Sequence, residues 1–160
     1  MSGLQKKVRT CFWFNTGGYE AAKFYVGLVP DSRIDAVFEH GNAADPMVVE
    51  FTLAGAPMMV LTGGPGAPAH APSASISILT KTQAETDRLW AALLEGGGEE
   101  SMCGWLKDKY GISWQVVPEL MPGFLGHPDR EKAGRAMAAM MTMKKLDIGA
   151  IEAAFNGETV

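Results

Sequence analysis

Cys103-Gly104-Trp105-Leu106-Lys107-Asp108-Lys109-Tyr110-Gly111-Ile112-Ser113-Trp114-Gln115-Val116-Val117-Pro118 reads as two strands joined by a turn, and a counterpart stands earlier in the chain. The earlier stretch is Glu50-Phe51-Thr52-Leu53-Ala54-Gly55-Ala56-Pro57-Met58-Met59-Val60-Leu61. Setting Gly55 on Gly111 also sets Met58 to Leu61 on Trp114 to Val117, with each glycine where the turn needs positive φ. A second match joins Glu20-Ala21-Ala22-Lys23-Phe24-Tyr25 to Glu85-Thr86-Asp87-Arg88-Leu89-Trp90. The second copy is the shorter one between its helix and its hairpin. Self-similarity on this scale predicts a duplicated module.

Reading outward, Val8 to Asn15 alternates as a half-buried strand and stops at Asn15-Thr16-Gly17-Gly18. Ala21, Phe24, Tyr25 and Leu28 then fall on one helical face, closed by Gly27 and Pro30. Ser32 to His40, Met47 to Leu53 and Met58 to Leu61 read as strands. The linker Gly63-Gly64-Pro65-Gly66-Ala67-Pro68-Ala69-His70-Ala71-Pro72 follows, rich in residues that break regular structure. Ala74 to Lys81 alternates Ser and Ile as a strand. Thr82-Gln83-Ala84-Glu85 is a capping box for a helix with Leu89, Trp90, Leu93 and Leu94 on its apolar stripe. The expected fold class is α+β: two βαβββ modules forming curled mixed sheets around a cavity, plus C-terminal helices. As one domain over 1–160, module one spans about 7–64, the linker 65–73, module two 74–118 and the helical tail 119–160. Asp129 and Asp147 are N-caps for the tail helices, with Ile148, Ile151 and Phe155 on the second and Gly157 as its stop. The first carries Ala133, Met137, Met140 and Met141 on one side; with no His or Cys accompanying it, this stripe reads as packing or a subunit contact rather than a copper site.

The chain of 160 residues is 47% hydrophobic and 20% charged, enough to bury one core. With 14 basic against 18 acidic residues and a net charge of −4, it offers phosphates no basic stripe, so nucleic acid is not an expected partner. No stretch has the length or apolarity of a membrane span or a secretory leader. The only two cysteines, Cys11 and Cys103, are too few for a disulfide framework and fit a reducing, cytoplasmic setting as buried small hydrophobes.

The two modules, with Glu20 to Tyr25, Thr82 to Trp90, Gly96-Gly97-Gly98-Glu99-Glu100 and Cys103 to Asp108, resemble the PhnB-like branch of the glyoxalase/bleomycin-resistance/extradiol-dioxygenase superfamily, the vicinal oxygen chelate proteins. Members of that branch often carry the label 3-demethylubiquinone 3-methyltransferase. No strand, Gly-rich turn and helix suited to S-adenosylmethionine supports that activity here. The resemblance implies that two modules enclose a cavity, within one chain or across a homodimer. In catalytic members the cavity holds a divalent metal, on His of a module's first strand and Glu of its last. Counting back from Tyr25 and Trp90, the first-strand positions are Thr10 and Ser75, within a register slip; the last-strand positions are Met59 and Gln115. None is a good ligand for a hard or borderline ion, so neither a metal nor another cofactor is expected.

Strand parity extends these positions, because residues two apart share a face. Thr10 brings Phe12 and Phe14 to the cavity, Ser75 brings Ser77 and Leu79, Met59 brings Leu61, and Gln115 brings Ser113 and Val117. Cys11, Trp13, Ile76, Ile78, Met58, Val60, Trp114 and Val116 then pack under the helices. Thr10, Phe12, Phe14, Met59, Ser75, Ser77 and Gln115 are thus the candidate ligand-binding residues, a mixture suited to a small, partly apolar organic molecule. The competing reading is that Phe12, Phe14, Met59 and Leu61 simply fill the interior. No catalytic constellation is spelled out. Cys103, near Lys107 and Lys109, has no neighbouring His and reads as a structural thiol in a strand. Lys107-Asp108-Lys109 reads as a solvated hairpin end, Glu50 sits within a strand on an unassigned face, and His40, His70 and His127 are isolated.

Three functions fit: metal-free binding of a small compound, a metal-dependent lyase, isomerase or dioxygenase with shifted ligands, or a non-catalytic assembly protein. Homodimerisation is expected in each, since curved sheets and a Met-lined tail leave apolar surface.

Overall fold

The computed structural model describes residues 6–39 and 42–158. They form two compact units, one ending at Ala69 and the other beginning at His70.

The first unit runs β1 (Thr10–Phe14), α1 (Gly18–Leu28), β2 (Arg33–Phe38), β3 (Val48–Leu53) and β4 (Ala56–Thr62). Its sheet has the order β1-β4-β3-β2, with β1 parallel to β4 and the other pairs antiparallel. Leu53 pairs with Ala56 across a two-residue turn, where Ala54 and Gly55 both take positive φ (46° and 85°). That is the primed turn whose twist matches its flanking strands. Ala21, Ala22 and Tyr25 of α1 and Val49, Phe51 and Val60 of the sheet are fully buried. Each large apolar side chain so buried contributes about 1.5–3 kcal/mol.

The second unit repeats the plan as β5 (Ser75–Thr80), α2 (Gln83–Leu94), β6 (Glu99–Glu100), β7 (Trp105–Lys107) and β8 (Ser113–Pro118), in the order β5-β8-β7-β6. The protein is therefore α+β, two βαβββ modules with open mixed sheets, followed by α3 (Met121–Leu125), α4 (Arg130–Met140) and α5 (Ile148–Asn156). Thr82 caps α2 by accepting from the Glu85 N–H at 3.1 Å. The Glu85 carboxylate turns back to the Lys81 N–H at 2.7 Å, one residue beyond the Thr82 N–H of a reciprocal capping box.

The second hairpin differs from the first in its loop. Its last pair is Lys107 with Ser113, leaving 108–112 to turn, with Gly111 at φ 86° beside Gly55's 85°. A loop of this length has N–H groups that no ladder partner can take. Asp108 supplies the acceptors: it takes the N–H groups of Tyr110 (2.8 Å) and Ile112 (3.0 Å) and the indole N–H of Trp114 (2.9 Å). Asp108 is consequently 1% exposed, not the solvated hairpin end its neighbours Lys107 and Lys109 suggested.

Asp129 caps α4 through the N–H groups of Glu131 and Lys132, and Asp147 caps α5 through that of Ala150, as the sequence predicts. The short α3 carried no periodic signal. Ala133 and Ala136 form the buried side of α4, and Met121, Ala136, Leu146 and Ile151 make a core that Met140 and Met143 flank. Met137 and Met141 instead stand 42% and 57% exposed, so the expected methionine stripe is split between the two sides of the helix. The segment between α4 and α5 is tied to the hairpin by N–H donors of Cys103 to the Met143 carbonyl and Gly104 to the Lys144 carbonyl, both 2.7 Å. Cys103 lies in that turn at φ 59°, half-buried, rather than in a strand, and Cys11 is exposed rather than packed away.

Candidate functional site on the open sheet faces

Register decides which side chains share a face. Cys11 pairs with Met59, Phe12 with Val60 and Trp13 with Leu61, while Glu50 pairs with Met59 and Val49 with Val60. Gly18 at the start of α1 packs against Phe14, Val60 and Thr62, so Thr10, Phe12 and Phe14 stand on the helix side. Phe12 and Phe14 are 8% and 7% exposed. This reverses the expected placement: Cys11 and Trp13, not Thr10, Phe12 and Phe14, share the open face with Met59 and Leu61. The cause is one residue. Asn15, Thr16 and Gly17 separate β1 from α1, whereas only Lys81 and Thr82 separate β5 from α2. Counting back from matched helical aromatics therefore slips β1 by one, and with a period of two a slip of one exchanges the faces.

In the second module the expected parity holds. Ile76 pairs with Trp114, Ile78 with Val116 and Leu106 with Trp114; Trp114 and Val116 are fully buried. The other face presents Ser75, Ser77, Leu79, Ser113, Gln115 and, opposite Gln115, Trp105. The Gln115 amide donates to the Ser75 hydroxyl at 2.9 Å, joining two of the predicted residues, and Ser77 stands beside Gln115 in register. A depression of about 280 Å³ opens where Trp105, Lys107 and Ser113 meet Glu99, Ser101 and Pro72. Lys107 and Glu99 close an ion pair of 3.1 Å at its edge. Trp105 was not singled out from sequence, although counting across the hairpin to Gln115 would have found it.

The open face of the first module carries a charged network that the sequence did not reveal. The Arg9 side chain, 10% exposed, reaches Asp35 at 3.1 Å and Glu50 at 3.5 Å, and donates to the carbonyls of Phe51 (3.0 Å) and Met58 (3.2 Å). Thr52 donates to Asp35 at 2.8 Å, and Arg33 pairs with it at 3.0 Å. Burial pushes the Asp35 carboxyl up, but the hydrogen bonds from Thr52 and Arg9 and the charges of Arg33 and Arg9 outweigh it and hold the group below its ordinary value. Burial, partly offset by a backbone hydrogen bond at Leu61, raises the Cys11 thiol.

A metal bridging first and last strands would meet Cys11 with Met59, or Ser77 with Gln115. Thiol with thioether and hydroxyl with amide do not fit a hard or borderline divalent ion. Glu50, the nearest carboxylate to Met59 in register, is committed to Arg9. Among the described residues no group of three or more His, Cys, Asp or Glu could hold a metal ion. His127 accepts the Asp129 N–H at 3.1 Å and packs edge-on against Phe155, a turn-forming role. His70 lies beside the Gly111 turn, and His40 falls outside the described residues. No helix among the described residues is long and apolar enough to cross a membrane.

The comparisons agree with this architecture. Residues 6–117 match the family model described as 3-demethylubiquinone-9 3-methyltransferase, which leaves α3 to α5 beyond the match. No curated protein matches the chain. A PhnB protein from Bacillus cereus, itself described as a 3-demethylubiquinone-9 3-methyltransferase, superposes with a TM-score of 0.64 at 26% identity, over 71% of this chain and 99% of that one. A Pseudomonas aeruginosa protein gives 0.59 at 23% identity, over 72% and 98%. The fosfomycin resistance protein FosX of Listeria monocytogenes gives 0.54 at 10% identity, over 78% and 98%, a likeness of fold alone. With its duplicated module, its strand order and a family match over most of its length, the chain belongs to the PhnB-like branch of the glyoxalase/bleomycin-resistance superfamily, the family described as 3-demethylubiquinone-9 3-methyltransferase.

Proposed function

We propose that the protein binds a small, partly apolar organic molecule on the open sheet faces, without a metal at that site. The observation that carries this reading is the depression of about 280 Å³ beside Trp105 and Ser113, on the same face as the hydrogen-bonded Ser75 and Gln115. An aromatic wall with a few oriented hydroxyl and amide groups is the ordinary composition of a small-molecule site, and this volume sits at the lower end of such pockets. Ser77 belongs to the same open face on register and completes the proposed set there, while Met59 stands on the open face of the first module. Phe12 and Phe14 serve it by packing the helix side of the sheet.

The methyltransferase activity in the family description is not part of the reading. The glycine-containing junction before α1 is already occupied, since Asp45 accepts from the Gly17 N–H at 3.2 Å and from the Thr16 hydroxyl at 2.7 Å. The junction before α2 is closed by Thr82 and Glu85. The reading places the protein in a reducing, cytoplasmic setting and includes a homodimer, which would cover the exposed Trp13 and Leu79; light scattering returning a monomer removes the dimer.

The test is a thermal-shift screen against aromatic and quinone-like metabolites, repeated on Trp105→Ala. A ligand at a hundred times its Kd stabilises by about 2.7 kcal/mol, which is a shift of several degrees. A hit that survives Trp105→Ala, or no hit at all, defeats the proposal. So does a stoichiometric zinc, nickel, iron or manganese ion, in protein purified without chelators, that is lost on substituting Met59 or Gln115.

A further inference from the structure

The turn that opens the second hairpin brings together sulfur atoms from distant segments. Cys103 Sγ lies 3.6 Å from Met141 Sδ, at an exposed position. Met137 precedes Met141 by one helical turn, the Met141 N–H donating to its carbonyl at 3.0 Å, and side chains at this spacing are neighbours. All three are within reach of solvent: Met137 is 42% and Met141 57% exposed, and Cys103 is half-buried. The sequence showed no thiol beside the methionines of α4. The fold supplies one across 38 residues, because the Cys103 and Gly104 N–H groups are bonded to the chain leaving that helix.

We propose that Cys103, Met141 and Met137 form a surface site for a soft monovalent cation, Cu(I) or Ag(I). A thiolate with thioethers selects such ions, and it is a poor set for magnesium, calcium or manganese. The spacing suits bidentate capture. With metal–sulfur bonds of about 2.3 Å, two sulfurs 3.6 Å apart subtend an angle of roughly 100°, near tetrahedral. Binding replaces the S–H···S contact by two metal–sulfur bonds. The thiol proton leaves to solvent, no electron is transferred, and the thiolate neutralises the cation. Affinity therefore falls as pH falls. The donors are none of the residues of the proposed small-molecule set, and α4 lies outside the residues the family model matches, so the site does not depend on the small-molecule reading.

The full-length protein, reduced and held anaerobically, is titrated with Cu(I) against a chromophoric Cu(I) chelator, with Ag(I) in parallel. One equivalent is expected to be retained, with about one proton released per ion. Cys103→Ser is expected to abolish retention, and Met141→Leu and Met137→Leu, which keep the side-chain volume, to weaken it by about tenfold each. Cys11→Ser is expected to leave the equivalent held through Cys103 in place. Retention that survives Cys103→Ser, retention lost with Cys11→Ser, or failure to hold one equivalent each overturns the proposal. Circular dichroism of each variant separates loss of the site from loss of the fold.

Discussion

Replacing Asp108 by alanine should remove more stability than its loop position suggests. The side chain is 1% exposed and serves three donors, of which the Ile112 N–H and the Trp114 indole N–H are buried and the Tyr110 N–H part-buried. An orphaned buried donor costs about 1–3 kcal/mol, whereas Tyr110 can recruit water. Asp108→Ala is therefore expected to cost about 3–5 kcal/mol, a large share of the roughly 5–15 kcal/mol that holds a domain together. Asp108→Asn keeps one oxygen for the two backbone groups but turns an NH₂ toward the indole. Its cost should lie near the 1–3 kcal/mol of a single orphan. Equilibrium urea unfolding followed by tryptophan fluorescence reads both variants, since Trp90, Trp105 and Trp114 all lie in the second unit. A loss below about 1 kcal/mol for Asp108→Ala, or equal losses for the two variants, would refute the claim that this carboxylate holds the hairpin loop.

Two further outcomes follow from the first unit. The Asp35 carboxyl titrates lower when folded than when unfolded, so its contribution is full above the unfolded value of about 3.9 and fades as pH falls through the folded one. The urea midpoints of wild type and Asp35→Asn should thus converge between pH 5 and the acid limit, and a constant gap would contradict the Arg9 network. At Cys11, burial raises the thiol although part of the residue reaches solvent. Its alkylation by iodoacetamide, followed by peptide mass spectrometry, should keep accelerating above the pH where a free cysteine, at about 8.5, levels off; a plateau at or below that value would count against the assignment.

The repeat was legible because it rests on local chemistry: Gly55 and Gly111 need positive φ, Thr82, Asp129 and Asp147 announce helix starts, and the strand alternations announce themselves. What was not legible depended on distance or on a single count. The face of β1 turned on one extra residue before α1, which no pattern within Val8 to Asn15 records. Phe12 and Phe14 do read as apolar core, but only register with Val60 says on which side. Arg9 stands just before β1, and its enclosure by Asp35, Glu50 and two carbonyls is produced by β2, β3 and β4 meeting around it. Asp108 was hidden by its charged neighbours. The meeting of Cys103 with Met141 could not be counted at all, since it needs the tail to return to the hairpin.

Each sheet is completed by its first strand docking against its last, and this has a consequence for assembly. β3 and β4 meet through a two-residue turn and can zip at once. β1 reaches β4 only after the chain has passed through α1, β2 and β3, and the entropy of closing so long a loop delays that pairing. Within its module β1 is thus made before the hairpin it pairs with and placed after it. Until it arrives, the β4 edge is an unfilled slot that an equivalent strand from another copy can occupy where chains are crowded enough to rival the tethered strand. Strand exchange between nascent chains is the failure this topology invites.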